Sequence, residues 1–213
     1  MMKITKYEHA CFTVEIDGKT LIVDPGAFTQ SLEIPSDVVA TIVTHSHMDH
    51  FNTDMLAAIY DKNPDSILVT LPEIADVMPD HLSKAVHPGD LITIEPFTFE
   101  FFGGKHAEIN EAYMQTGDNL AVLINNTVFY PGDSFTEPDR PVELLALPTS
   151  GPWLKVGEVI DYLRVVKPAR FFPVHDFHNS AAGQALVKQL TTPHAEAINS
   201  KLVALDIGES VEA

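Results

Sequence analysis

Apolar residues in the first quarter of the chain fall in short runs separated by turn residues. Runs at 3–7, 11–16 and 20–23 read as strands, with Asp17-Gly18 as a two-residue hairpin signal between the last two. Asp24-Pro25-Gly26 stops the third strand. Residues 38–43 form a largely β-branched run without polar alternation, which predicts a strand buried on both faces and ending at Thr44. Beyond it the period changes. Residues 53–60 predict a helix capped by Asn52 or Thr53, 67–70 a strand and 72–78 a short helix. Strands are expected at 91–94, 98–102, 120–124 and 128–130, the last pair around a turn at Asn125-Asn126, and again at 144–147. Val156, Val159, Ile160, Leu163 and Val166 share one helical face, and Pro168 ends that helix. A strand at 170–174, a helix at 180–190 and a strand near 201–205 complete the pattern.

Hairpins first, then strands interleaved with helices, suit two packed sheets covered by helices. No linker, low-complexity stretch or internal repeat divides the chain, so residues 1–213 read as a single domain. With 45% hydrophobic and 20% charged residues the chain has a globular composition, which excludes disorder. No apolar stretch approaches the ~18 residues of a membrane span, and the N-terminus lacks a signal-peptide core, so a cytoplasmic protein without a membrane partner is expected. The single cysteine, Cys11, excludes an internal disulfide and lies in an apolar run as a buried, inert thiol. Thirteen Lys and Arg against 30 acids leave a net charge of −17, which argues against a nucleic-acid partner. A small-molecule substrate is expected instead, and a homo-oligomer is left open.

Candidate chemistry is concentrated after the buried strand, where His45, His47, Asp49 and His50 fall within six residues. A loop leaving a strand end can aim alternate side chains at one point, so His45 and His47 can converge on one ion. Asp49 and His50, further along, can face a second. Imidazole with carboxylate suits zinc, manganese or iron, whereas calcium and magnesium favour oxygen alone.

This H-x-H-x-D-H pattern after a buried strand resembles the signature of the metallo-β-lactamase superfamily, and the likeness extends over nearly the whole chain. It implies an α/β fold, the αββα sandwich: two packed mixed β-sheets flanked by helices, with metals at the sheet edges. It also implies three more ligands. His106, in Gly103-Gly104-Lys105-His106-Ala107, would complete the first site. Asp133, in Tyr130-Pro131-Gly132-Asp133-Ser134, would bridge both ions. His175, in Phe172-Pro173-Val174-His175-Asp176, would join Asp49 and His50. Alternatives stand beside each: His81 and His87 compete with His106, a turn role with Asp133, and His178 with His175. His178 otherwise lines the pocket or caps the next helix. Asp24 resembles the strand-end aspartate that orients the metal loop, with a plain turn role as the alternative. His9, in Tyr7-Glu8-His9-Ala10-Cys11-Phe12, resembles the G-H-x-x-F opening of a small branch related to ascorbate-6-phosphate lactonase, except that Glu8 replaces glycine. The 148–153 segment matches that branch's substrate-side loop in position, and His194 reads as a surface residue.

The function implied is that of a binuclear metal-dependent hydrolase, with two divalent ions, zinc first and manganese or iron next. A hydroxide bridging the ions would attack a small-molecule ester, lactone or phosphodiester. Asp49 and Asp133 would hold the ions and receive the water proton, His178 or His9 would protonate the leaving group, and Lys105 or Lys155 would neutralise a phosphate. No serine or cysteine nucleophile is signalled. The competing readings are a non-catalytic metal-binding sensor or scaffold of the same fold, and a nuclease or phosphodiesterase.

Overall fold

The computed structural model describes residues 1–110 and 117–213. Six strands come first: β1 (Lys3–Lys6), β2 (Phe12–Ile16), β3 (Lys19–Val23), β4 (Val38–Val43), β5 (Ile67–Thr70) and β6 (Ser83–Ala85). Seven follow: β7 (Leu91–Ile94), β8 (Phe97–Gly103), β9 (Leu120–Ile124), β10 (Val128–Tyr130), β11 (Leu144–Pro148), β12 (Arg170–Val174) and β13 (Lys201–Leu202). The last strand, β14 (Ser210–Glu212), returns to pair antiparallel with β1. Two seven-stranded sheets result, ordered β14-β1-β2-β3-β4-β5-β6 and β13-β12-β11-β10-β9-β8-β7. Each is mixed, with antiparallel hairpins in one half and parallel strands in the other. The parallel halves carry the helices: α1 (Thr53–Lys62), α2 (Pro72–Ala75), α3 (Val156–Val166) and α4 (Ala181–Ala197).

Side-chain alternation along the strands explains the layers. Leu21, Val23, Ala40, Ile42 and Val69 face the other sheet and meet Phe97, Phe99, Val122 and Phe172 in a shared core. Their neighbours Ile22, Val43 and Leu68 point the opposite way, onto Leu56, Ile59 and Ile74 of α1 and α2. In the second sheet Leu123, Phe129 and Leu145 pack on Val159 and Leu163 of α3. Strands so placed are buried on both faces, which is why they read as unbroken apolar runs. Each fully buried side chain of this kind contributes about 1.5–3 kcal/mol. The expected αββα sandwich is therefore the fold observed.

Several boundaries differ from the expectation. Asn52 is the cap of α1, its side chain accepting from the Met55 N–H at 2.9 Å. The helix expected at 72–78 ends at Ala75. Helix α4 runs through Pro193, where the sequence suggested a stop at 190. The hydroxyls of Thr191 and Thr192 bond the carbonyls of Val187 and Lys188, taking up acceptors in the turn that the proline disturbs. Strands β6 and β14 were not expected. They lie at sheet edges with mostly exposed side chains, so backbone pairing holds them without an apolar pattern. Among the described residues, no helix is long and apolar enough to cross a membrane.

Candidate metal centre

The ends of β3, β4, β8, β10 and β12 deliver Asp24, His45, His106, Asp133 and His175 to one edge of the sandwich. A backbone bond from the Leu120 N–H to the Thr44 carbonyl, at 3.0 Å, ties the two sheets together beneath them. Four donors, from His45, His47, His106 and Asp133, lie within 4.8 Å of one another. A second set, from His9, Asp49, His50 and His175, meets the same limit. Asp133 touches both sets: its Oδ1 lies 3.1 Å from His50 Nε2, and its Oδ2 lies 3.3 Å from His106 Nε2 and 3.1 Å from His175 Nε2. All seven ligands expected from the sequence are thus brought together, and His9 joins them as an eighth member of the cluster. Its Nε2 is 3.0 Å from Asp49 Oδ2, and its ring lies tilted against His175 with centroids 3.9 Å apart.

Partners behind the ligands fix which nitrogen faces the centre. His50 Nδ1 donates to Asp24 Oδ2 at 2.7 Å, His106 Nδ1 to the Ala107 carbonyl at 2.6 Å, and His175 Nδ1 to the Ser150 carbonyl at 2.5 Å. These oxygens accept only, so Nδ1 carries the proton and the Nε2 lone pair is left for a ligand bond. Asp24 takes three further bonds, from the Thr44 N–H, the Thr44 hydroxyl and the Tyr130 hydroxyl, at 2.8, 2.7 and 2.8 Å. It therefore locks the start of the metal loop to β10, as the resemblance implied, and is no plain turn residue. Asn119, which the sequence did not single out, holds the Asp133 turn: its Oδ1 accepts from the Asp133 N–H and its Nδ2 donates to the Pro131 carbonyl, both at 2.9 Å. Trp153 donates its indole N–H to Asp133 Oδ2 at 2.9 Å. His9, Asp24 and His175 all adopt left-handed backbone, with φ of 59°, 44° and 56°. Such conformations are uncommon outside glycine, and clusters of them mark functional sites.

Without an ion the cluster is electrostatically unresolved. Burial lowers the His45 and His47 imidazoles, helped by neighbouring histidines, and pushes His9 down to about 4. Burial acts the same way on His50 and His175, but Asp133 with Asp24 raises His50, and Asp133 with Asp49 raises His175 to about 9. Burial would raise Asp133 and Asp49 as well, yet the surrounding histidines hold both well below the usual carboxylate range. Nε2 of His50, His106 and His175, together with Asp133 Oδ1, is buried without a hydrogen-bond partner. Buried polar atoms are rarely left so. Lone-pair nitrogens and carboxylate oxygens aimed at common points fit divalent cations, so the residues present match the metal group the sequence implied.

The cluster opens onto a pocket of about 680 Å³. Trp153, Leu154, Ile109 and Val156 give it apolar walls, while His178 and Asn179 stand at its side. His178 is exposed and lines the pocket; Ser180, not His178, caps α4. His9 has no exposed side chain and sits behind Asp49, which makes it a poor donor to a leaving group. Lys105 and Lys155 do not line the pocket; they are exposed and pair with Asp118 and Glu158. Among the described residues the pocket wall contains neither Lys nor Arg. His81 stacks on Tyr60, and His87 is an exposed loop residue, so neither competes with His106.

Fold and ligand cluster together define the class of metal-dependent hydrolases built on two packed sheets. The chain belongs to the metallo-β-lactamase superfamily: residues 3–175 match the family described as "Beta-lactamase superfamily domain". Protein Rv0786c of Mycobacterium tuberculosis is 32% identical over 179 residues, covering 82% of this chain and 84% of that protein. A UPF0173 metal-dependent hydrolase of Anoxybacillus flavithermus is 26% identical over 149 residues, 62% of this chain and 64% of that one. Among solved structures, Igni18, a metallo hydrolase from Ignicoccus hospitalis, shares the fold with a TM-score of 0.75 at 16% identity, covering 99% of this chain and 97% of that one.

Proposed function

We propose that the chain is a binuclear hydrolase acting on an uncharged small-molecule ester or lactone, with zinc as the preferred metal. The observation that carries this reading is Asp133, which contacts both donor sets at the floor of an apolar-walled pocket. Two divalent ions bound there would supply Lewis acidity and lower the pKa of a bound water towards neutrality. The residues do the rest. His45, His47 and His106 hold one ion, and Asp49, His50 and His175 the other, with His9 fixing the Asp49 carboxylate. Trp153 orients Asp133 through its indole N–H and, with Leu154 and Ile109, walls the reacting end of the substrate off from water. His178 at the pocket wall is placed to protonate the leaving group.

The cation-free wall supports a neutral substrate over a phosphodiester, since phosphate recognition draws on Arg and Lys. The same absence, with the net charge of −17, speaks against a nucleic-acid substrate. The test is a panel of a lactone, a thioester, p-nitrophenyl acetate and bis-p-nitrophenyl phosphate, run after reconstitution with Zn²⁺, Mn²⁺ or Fe²⁺. Turnover of the ester or lactone well above the phosphodiester is expected. Preferential phosphodiester cleavage would overturn the substrate assignment, and no turnover with metals fully bound would favour a sensor or scaffold.

A further inference from the structure

Beside the metal pocket lies a second, partly open cleft of about 560 Å³, lined by residues of β1, β12, α4 and the chain after β13. The mechanism proposed above makes no use of it. Its volume falls in the range of small-molecule sites. Phe171, Pro173, Phe177, Leu205 and Ile207 provide its apolar wall.

Three observations connect this chamber to the chemistry. Thr149 and Val187 line both cavities. His9, whose Nε2 contacts Asp49, forms part of the chamber wall, so chamber and ligand cluster are one residue apart. The dividing element is the first half of α4, where residues 181–190 include no buried side chain and Val187 is the only half-buried apolar one. This lightly held half of α4 lies between two adjoining cavities that share Thr149 and Val187 as lining.

The polar groups narrow the ligand. Lys6 Nζ, its side chain 7% exposed, donates to Asp176 Oδ2 at 2.5 Å. Lys6 and Asp176 neutralise each other, and Glu8 and Asp206 add negative charge to the same wall, which disfavours an anion.

We infer that this chamber receives the non-reacting substituent of the substrate, an uncharged medium-length alkyl or aryl group, while the ester or lactone bond lies at the metal centre. The inference rests on the ester or lactone reading for its substrate, but the chamber itself can be tested apart from turnover. With zinc-loaded protein, kcat/KM should rise along p-nitrophenyl acetate, butyrate, hexanoate and octanoate. The expected gain is about fourfold per methylene, corresponding to ~0.8 kcal/mol per buried CH₂ at 1.36 kcal/mol per tenfold. Ala185 lines the chamber but not the metal pocket. Ala185→Trp should collapse the octanoate-to-acetate ratio towards one, and Ile207→Trp, filling the chamber from the opposite wall, should do the same if the first variant misfolds.

A second readout uses metal-free protein and the neutral fluorophore N-phenyl-1-naphthylamine. Saturable binding that either tryptophan variant weakens at least tenfold supports the chamber, even if no ester is turned over, in which case only the hydrolase reading fails. A flat chain-length series would overturn the inference, as would fluorophore binding that neither variant changes.

Discussion

His175 stands between two carboxylates, 3.1 Å from Asp133 and 3.6 Å from Asp49, and this makes the metal-free protein sensitive to pH. Its imidazole is raised to about 9 against an ordinary value near 6.5. A raised folded-state pKa means that the bound proton stabilises the fold. That contribution is complete below about pH 6.5 and is lost as pH rises through about 9. A metal must displace the same proton. The His175 proton should therefore make apparent metal affinity rise by close to tenfold per pH unit well below 9, with its contribution levelling off as pH passes about 9, as read by chelator competition. Affinity independent of pH over that range would contradict the arrangement. At this scale the cluster at 45–50 was legible because dense histidine and aspartate spacing after a strand has few other uses, whereas His106, Asp133 and His175 came from the family resemblance. Asn119, the Trp153 bond to Asp133 and the Lys6–Asp176 pair were not legible, since they arise from contacts between residues far apart in the chain; only the pocket-wall role of Trp153 was readable. Lys105 and Lys155 were misjudged for a related reason: proximity to a ligand or loop in sequence does not say which way a long side chain turns.

Among the elements, the metal loop after β4 is positioned by its neighbour as much as by its own sequence. Gly26, just past β3, packs so closely on this loop that an added Cβ would lie 1.9 Å from the Asp49 carbonyl oxygen and 2.5 Å from the His50 nitrogen. Both contacts are to backbone, which cannot rotate away. Gly26→Ala should destabilise the protein by about 1–3 kcal/mol in denaturant unfolding, a typical overpacking cost. By moving Asp49 and His50 together it should also weaken metal binding by about 10-fold or more. A variant with unchanged unfolding midpoint and metal affinity would show that the loop is not held in this way. The Asp24-Pro25-Gly26 stop was readable as a turn, but the need for glycine at its third position was not, because the clash involves residues 23 positions on. Buried strands declared themselves through apolar runs; β6 and β14, edge strands with mostly exposed side chains, did not.

Across the whole molecule, two sheets are stacked so that five strand ends open onto one edge, and every ligand sits on a loop leaving a strand or immediately following one. The sandwich was legible because apolar runs, hairpin signals and helical periods agreed with one another and with the family pattern. The second cavity beside α4 was not, because a cavity is defined by what the surrounding elements leave unfilled. The central claim is that these loops hold two ions with Asp133 between them, and metal analysis of fully loaded protein addresses it most directly. Wild type and His178→Ala should each carry close to two equivalents, since His178 belongs to neither donor set. Asp133→Ala, which removes a contact to both sets, should retain less than one and lose hydrolytic activity. One stable equivalent in wild type with full activity, or equal metal loss in the two variants, would contradict the account.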